Sequence, residues 1–232
     1  NLPWVKHPAP IDDDFGRPEP AATREALARG DWQAARQIIT TVEPSMQGAC
    51  VGSRYEEPAP VEAAERWVAA APDDGWGHMV LGDALVTWAW QARGGGWAST
   101  VQEDSWQIFF ERLRRAEDAL TTAARLLPES HLPWGRLIWS GIGLQIPLEE
   151  LTVRYDEGNR RAPFDNGLVS SALQMLCAKW YGSREHMFAY ARMVASEAPA
   201  GKPRHLGGGV GLHRGRGRSS TRNRHRGSAH VA

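Results

Sequence analysis

Any chemistry in this sequence would rest on eight histidines, two cysteines and 27 Asp and Glu residues. Four histidines (His205, His213, His225, His230) fall in residues 201–232, and the others are His7, His78, His131 and His186. No pair has the H-E-x-x-H spacing that sets two imidazoles on one helical face around a metal. No G-x-S-x-G elbow presents a nucleophile either. Asp14-Phe15-Gly16 spells the metal-binding tripeptide of kinases, but no Gly-rich loop or catalytic loop accompanies it, so it is coincidence. Cys50 and Cys177 form neither a disulfide framework nor a metal quartet. Cys177 lies in an apolar helical pattern and reads as a small core residue, and His186, beside Glu185 in a first helical turn, reads as a solvated surface residue. No catalytic, cofactor-binding or metal-ligating residue is therefore assigned. An enzyme of unknown reaction stays open only as a third reading.

Eleven tryptophans, all between Trp4 and Trp180, are the most unusual feature of the composition. They could line an aromatic groove for a peptide or ligand. Core filling is the favoured reading, because Trp67, Trp88, Trp106 and Trp139 sit within apolar helical patterns and a buried indole removes a large apolar area from water.

The formal net charge of zero hides two unlike parts. Residues 1–200 hold 19 Lys and Arg against 27 acids, whereas residues 201–232 hold eight Lys and Arg and no acid. The basic part includes Arg214-Gly215-Arg216-Gly217-Arg218, a composition that binds RNA or DNA phosphates without folding. No aromatic residue interleaves these arginines to stack on bases. A solvated terminus without a partner, or a frameshifted ending, accounts for it as well. No apolar run approaches the roughly 18 residues that span a bilayer, and the N-terminus lacks a signal-peptide pattern. A cytoplasmic protein that does not enter the membrane is expected.

The elements that must carry any site read as helices throughout. Residues 1–20, with Pro3, Pro8, Pro10, Pro18, Pro20 and Asp12-Asp13-Asp14, form an expected extended arm. Ala21–Arg29 and Trp32–Val42 read as two helices broken at Gly30-Asp31. Residues 44–59 carry Pro44, Gly48, Gly52 and Pro58, which predict a loop. Val61, Ala64, Val68 and Ala71 recur at helical spacing, and the segment Gly75–Arg93 is apolar nearly all round, so it should be central. Gly94-Gly95-Gly96 ends it, and Thr100 with Glu103 reads as a capping box. Trp106, Phe109, Phe110, Leu113, Ala116, Leu120, Ala123 and Leu127 mark the buried face of a long helix, with Glu111 and Arg115 paired at i,i+4 opposite. Further helices are expected at 132–145, 148–161, 165–180 and 184–198, with Gly182-Ser183 closing one and capping the next. No segment alternates with period two, so the predicted fold is all-α.

Several helices end alike, in an apolar stretch, a proline and polar residues, at Pro72, Pro128, Pro163 and Pro199. The spacings are 56, 35 and 36 residues. The last two lie near the roughly 34 of a tetratricopeptide repeat, and the first fits one repeat plus an insertion near residues 94–105. Ala116, Leu120, Ala123 and Pro128 match the small–large–small–proline spacing of that repeat, Leu81-Gly82 its Leu-Gly, and Trp134 with Leu137 its Trp and Leu. The chain thus resembles an irregular tetratricopeptide array of antiparallel helical hairpins over about residues 21–200. Gly96-Trp97-Ala98-Ser99-Thr100-Val101, and Lys179-Trp180-Tyr181-Gly182-Ser183 followed by Glu185, Met187, Ala189 and Ala191, resemble an uncharacterised bacterial family of such hairpins, which implies no activity.

The resemblance implies a scaffold that binds a protein or peptide on its inner groove, with the first helix of each hairpin facing the partner. Carried over position by position, the groove residues are Met79, Asp83 and Thr87, then Trp139, then Ser170 and Gln174. Asp83, Thr87 and Gln91 also lie at i, i+4, i+8, as do Asn166, Ser170 and Gln174, so each trio shares one helical stripe. Ordinary solvent faces would show the same stripes. The alternative function is a nucleic-acid-associated protein that uses the basic tail.

Overall fold

The computed structural model describes residue 14 and residues 16–52, 59–93 and 103–198. The basic tail, most of the Pro-rich arm, Gly94-Gly95-Gly96 and the Thr100 cap lie outside the described residues. Among those described there is no strand. Ten helices follow in order: α1 (Pro18–Ala28), α2 (Trp32–Thr41), α3 (Pro44–Val51), α4 (Ala59–Ala70), α5 (Gly75–Arg93), α6 (Glu103–Leu126), α7 (Leu132–Leu144), α8 (Leu148–Arg161), α9 (Asn166–Met175) and α10 (Arg184–Glu197). No helix is long and apolar enough to cross a membrane, among the described residues.

Three boundaries differ from the sequence expectation, each for a local reason. Helix α1 begins at Pro18, inside the segment read as an extended arm. Prolines are tolerated there because first-turn amides have no intrahelical partner to lose. Pro44–Val51 is a helix rather than a loop. Pro44 opens it in the same way, and burial of Cys50 and Val51 outweighs the poor propensity of Gly48. Helix α9 stops at Met175 instead of running to residue 180. The chain turns there, with Tyr181 donating its N–H to Met175 O (3.2 Å) and Gly182 its N–H to Cys177 O (3.4 Å). A Cβ on Gly182 would stand 2.1 Å from the carbonyl oxygen of Leu176, so only glycine lets the turn close this tightly. Cys177 consequently sits half-buried in this turn, not in a helical core. Ser183 then caps α10, accepting from the His186 N–H at 3.2 Å.

Helix α5 is the central element. Twelve of its nineteen residues are buried, and it packs against α2, α3, α4, α6 and α7. Its closest neighbour is α6, whose Phe109, Leu113, Ala116, Leu120 and Ala123 are all buried against it and α7. Arg115, expected to pair with Glu111, instead makes an ion pair with Glu65 of α4. Trp67 of α4 is fully buried; its indole N–H donates to Asp74 Oδ2 (3.1 Å), and Trp32 of α2 stacks on it at 5.8 Å. Asp74 also accepts from Arg36 Nε (2.9 Å) and from the backbone N–H of Trp76 (3.1 Å), so one carboxylate ties α2, α4 and the start of α5. Trp88, Trp106 and Trp139 are half-buried against the same core, in keeping with the core-filling reading.

The C-terminal helices extend this core. Arg154 of α8 donates from both terminal nitrogens to the two oxygens of Glu117 on α6, each at 2.8 Å, and Nη1 also donates to Leu137 O of α7. A bidentate pair of this kind fixes orientation as well as distance. Val194 of α10 is buried with Val169, Leu173 and Ala198, and the Tyr190 and Tyr155 hydroxyls are 2.8 Å apart.

Two substitutions test this packing. Phe109→Ala should lower stability by about 3–5 kcal/mol through the cavity it leaves. A Cβ at Gly82 would lie 2.4 Å from Leu120 Cγ, so Gly82→Val should cost about 1–3 kcal/mol by overpacking. Denaturant melts unchanged from the parent would show that the α5–α6 interface is not core.

Candidate functional site

Helices α5, α7 and α9 each contact the next, and a cavity of about 830 Å³ opens over them, walled on one side by α3. Met79, Asp83 and Thr87 of α5 reach it at successive turns, because i, i+4 and i+8 share a stripe. Helix α7 supplies Leu132, Gly135, Arg136 and Trp139, and the start of α9 supplies Asn166, Gly167, Leu168, Ser170 and Ser171. Five of the six residues placed on the groove from sequence therefore line one cavity. Gln174, a turn beyond Ser170, does not line it.

The charged groups in the cavity are engaged with one another. Arg136 Nε lies 2.8 Å from Asp83 Oδ1, and Arg136 Nη2 donates to Asp83 O (3.1 Å) and to Thr87 Oγ1 (2.9 Å). This ties α7 to α5 across the cavity floor. At the other end His131 Nε2 lies 3.4 Å from Asp165 Oδ2, while Asp165 Oδ1 caps α9 by accepting from Gly167 N–H (2.8 Å) and Leu168 N–H (3.2 Å). Burial by itself pushes the Asp165 carboxyl up. The hydrogen bond and charge of His131, with the two backbone N–H groups, outweigh it and hold the carboxyl below its ordinary value. Phe164, just before this cap, has a left-handed backbone (φ 57°), its N–H donating to Asn159 Oδ1 at 3.2 Å. Such strain costs about 1–3 kcal/mol and persists only where the surroundings hold it.

The arrangement offers a ligand apolar surface and neutral hydrogen-bonding groups, with its carboxylates already paired. Among the described residues no group of three or more His, Cys, Asp or Glu side chains converges as a metal site. His186 is exposed, away from the cavity. Sequence reasoning did not single out Arg136, His131 or Asp165 for the site. The Pro163-Phe164-Asp165 motif placed Asp165 at a helix start, which was the available signal. Nothing in sequence could pair Arg136 with a carboxylate 53 positions earlier.

Comparison with protein-family models, with curated proteins and with solved structures finds no match.

The Asp165 geometry has a pH signature. Its charged form is favoured by folding, so its contribution is complete above the unfolded value of about 3.9 and disappears as pH falls through the lower folded value. Asp165→Asn, which keeps a capping oxygen, should melt below the parent at neutral pH, and the gap should close under acid conditions. A gap of constant size at every pH would contradict the charge argument.

Proposed function

We propose that the chain is an interaction scaffold of tetratricopeptide-like helical hairpins that receives a protein or peptide segment in the cavity over α5, α7 and α9. The helix contacts support this reading. The alternate helices α5, α7 and α9 form one row, α6 packs on α5 and α7, α8 on α7 and α9, and α10 on α9. The close approach of Gly82 to Leu120 also fits, since small residues at that repeat position let two helices of a hairpin meet. The observation that carries the proposal is the convergence of Met79, Asp83, Thr87, Trp139 and Ser170 on one cavity. A concave site with apolar and aromatic walls and few charged groups is the ordinary form of a binding site.

Site-specific photo-crosslinking on the full-length chain tests it. A benzophenone side chain at Ser170 should trap a discrete protein adduct that the same group at the exposed Thr152 of α8 does not. The adduct should vanish when the cavity is filled by Gly135→Leu. The filling is sterically mild, because a Cβ at Gly135 meets only Leu168 Cδ2, at 3.7 Å. Identical adducts from both positions, or an adduct indifferent to Gly135→Leu, would sink the proposal.

A further inference from the structure

We infer that the segment this cavity receives is uncharged: an extended peptide stretch that places apolar side chains on the floor and bonds through its backbone to neutral groups on the walls. The inference rests on the interaction reading above and specifies the chemistry of the partner. Among the described lining residues the Asp and Arg side chains are Asp83, Arg136 and Asp165, and there is no Lys or Glu. Each of the three already faces an opposite or hydrogen-bonding group of this chain. Arg136 is held by Asp83 and Thr87, and Asp165 by His131 and the amides of α9. An incoming Asp or Lys would leave its water and find its natural counter-ion occupied, which costs free energy without return. The start of α9 offers no vacancy for an anion, because Asp165 fills it.

What the cavity leaves free is neutral. The side chains of Ser45 on α3 and of Asn166 and Ser170 on α9 line it and make no hydrogen bond among the described residues. Hydroxyl and amide groups of this kind match the alternating N–H and C=O of an extended backbone. Between these walls Leu132 and Trp139 present apolar surface, with Met79 and Leu168 buried directly beneath. They form an apolar floor on which the half-buried indole of Trp139 offers a broad face to side chains of varied shape.

Selection of a phage-displayed random heptapeptide library on the full-length chain tests this. Enriched peptides, resynthesised with acetylated and amidated ends, should carry apolar residues at the positions that govern affinity. Replacing one of these by Asp or by Lys should weaken binding about tenfold or more, the scale of an uncompensated buried charge. Affinity should hold between about 50 and about 500 mM salt, a range over which charge pairing is strongly screened. Ser170→Arg provides a gain-of-function control. It should restore binding of the Asp-substituted peptide but not of the Lys-substituted one, an outcome that misfolding cannot produce. Enrichment of charged peptides that are lost on Gly135→Leu would overturn the inference and leave the scaffold reading intact. If no peptide is enriched, while the uncharged dye Nile red binds and is displaced by Gly135→Leu, both fall, and the cavity belongs to a small apolar molecule.

Discussion

Helices α5 and α6 meet at Gly82 and Leu120, where a single added methyl group would overlap a buried leucine. The rest of the structure depends on that approach. With no side chain at Gly82, Leu120 covers the α5 backbone, and Phe109, Leu113, Ala116 and Ala123 follow along the same face of α6. Close-packed interiors have no slack to absorb a wider spacing. Moving α6 outward would loosen the seat of α7, because a Cβ at Gly143 of α7 would already stand 2.4 Å from Leu113 Cδ1. The floor of the cavity is made by α5 and α7, so its shape is set by the α5–α6 contact although no residue of α6 lines it.

Polar ties then fix the later helices on this base. Glu117 and Arg154 join α6 to α8, Asp83 and Arg136 join α5 to α7, and His131 and Asp165 join α7 to α9. Partly buried pairs contribute little net stability once desolvation is counted, but breaking one strands its partner. Their service here is geometric. Apolar faces tolerate sliding by a turn, whereas a bidentate Arg–Glu contact or a carboxylate capping two amides is satisfied in one register only. Two of the three ties line the cavity, so the contacts that hold the helices in register also neutralise the site. Structure and recognition chemistry share these residues.

The tryptophans illustrate how composition becomes architecture. Trp90 meets Phe109, Trp139 and Trp180 edge to face at 5.2–5.8 Å, so rings from α5, α6, α7 and the turn after α9 share one cluster. Arg93 lies over Trp90, Trp106 and Trp180 at 5.5–5.7 Å, its long stem buried with them. Large rigid rings fill the gaps between short helices without the entropy cost of flexible side chains. Trp139 alone among the described tryptophans also lines the cavity.

Much of this was legible in the chain by itself. The period of the apolar residues determined that 106–125 is a helix and which face it buries, because 3.6-residue spacing leaves few other structures for Phe109, Leu113 and Leu120. Nearly all-round apolarity marked α5 as central, Gly30-Asp31 marked the break between α1 and α2, and Ser183 marked the start of α10 through local capping chemistry. The stripes that set Asp83, Thr87 and Gln91 on one helical face, and Asn166, Ser170 and Gln174 on another, follow from helix geometry as well, whereas Met79 and Trp139 came from the repeat resemblance. Their union in one cavity was a matter of tertiary structure, as was the absence of Gln174 from its lining. Local rules also failed where packing overrode propensity. Cys50 and Val51 gain enough burial to make Pro44–Val51 helical despite Gly48, and the tight turn at Gly182 cuts α9 short of Cys177. Above all, the pairing of Arg136 with Asp83 and of His131 with Asp165 was set by the fold alone. Sequence shows that a charge exists, but only the approach of two distant helices decides whether it is spent inside the protein or left for a partner.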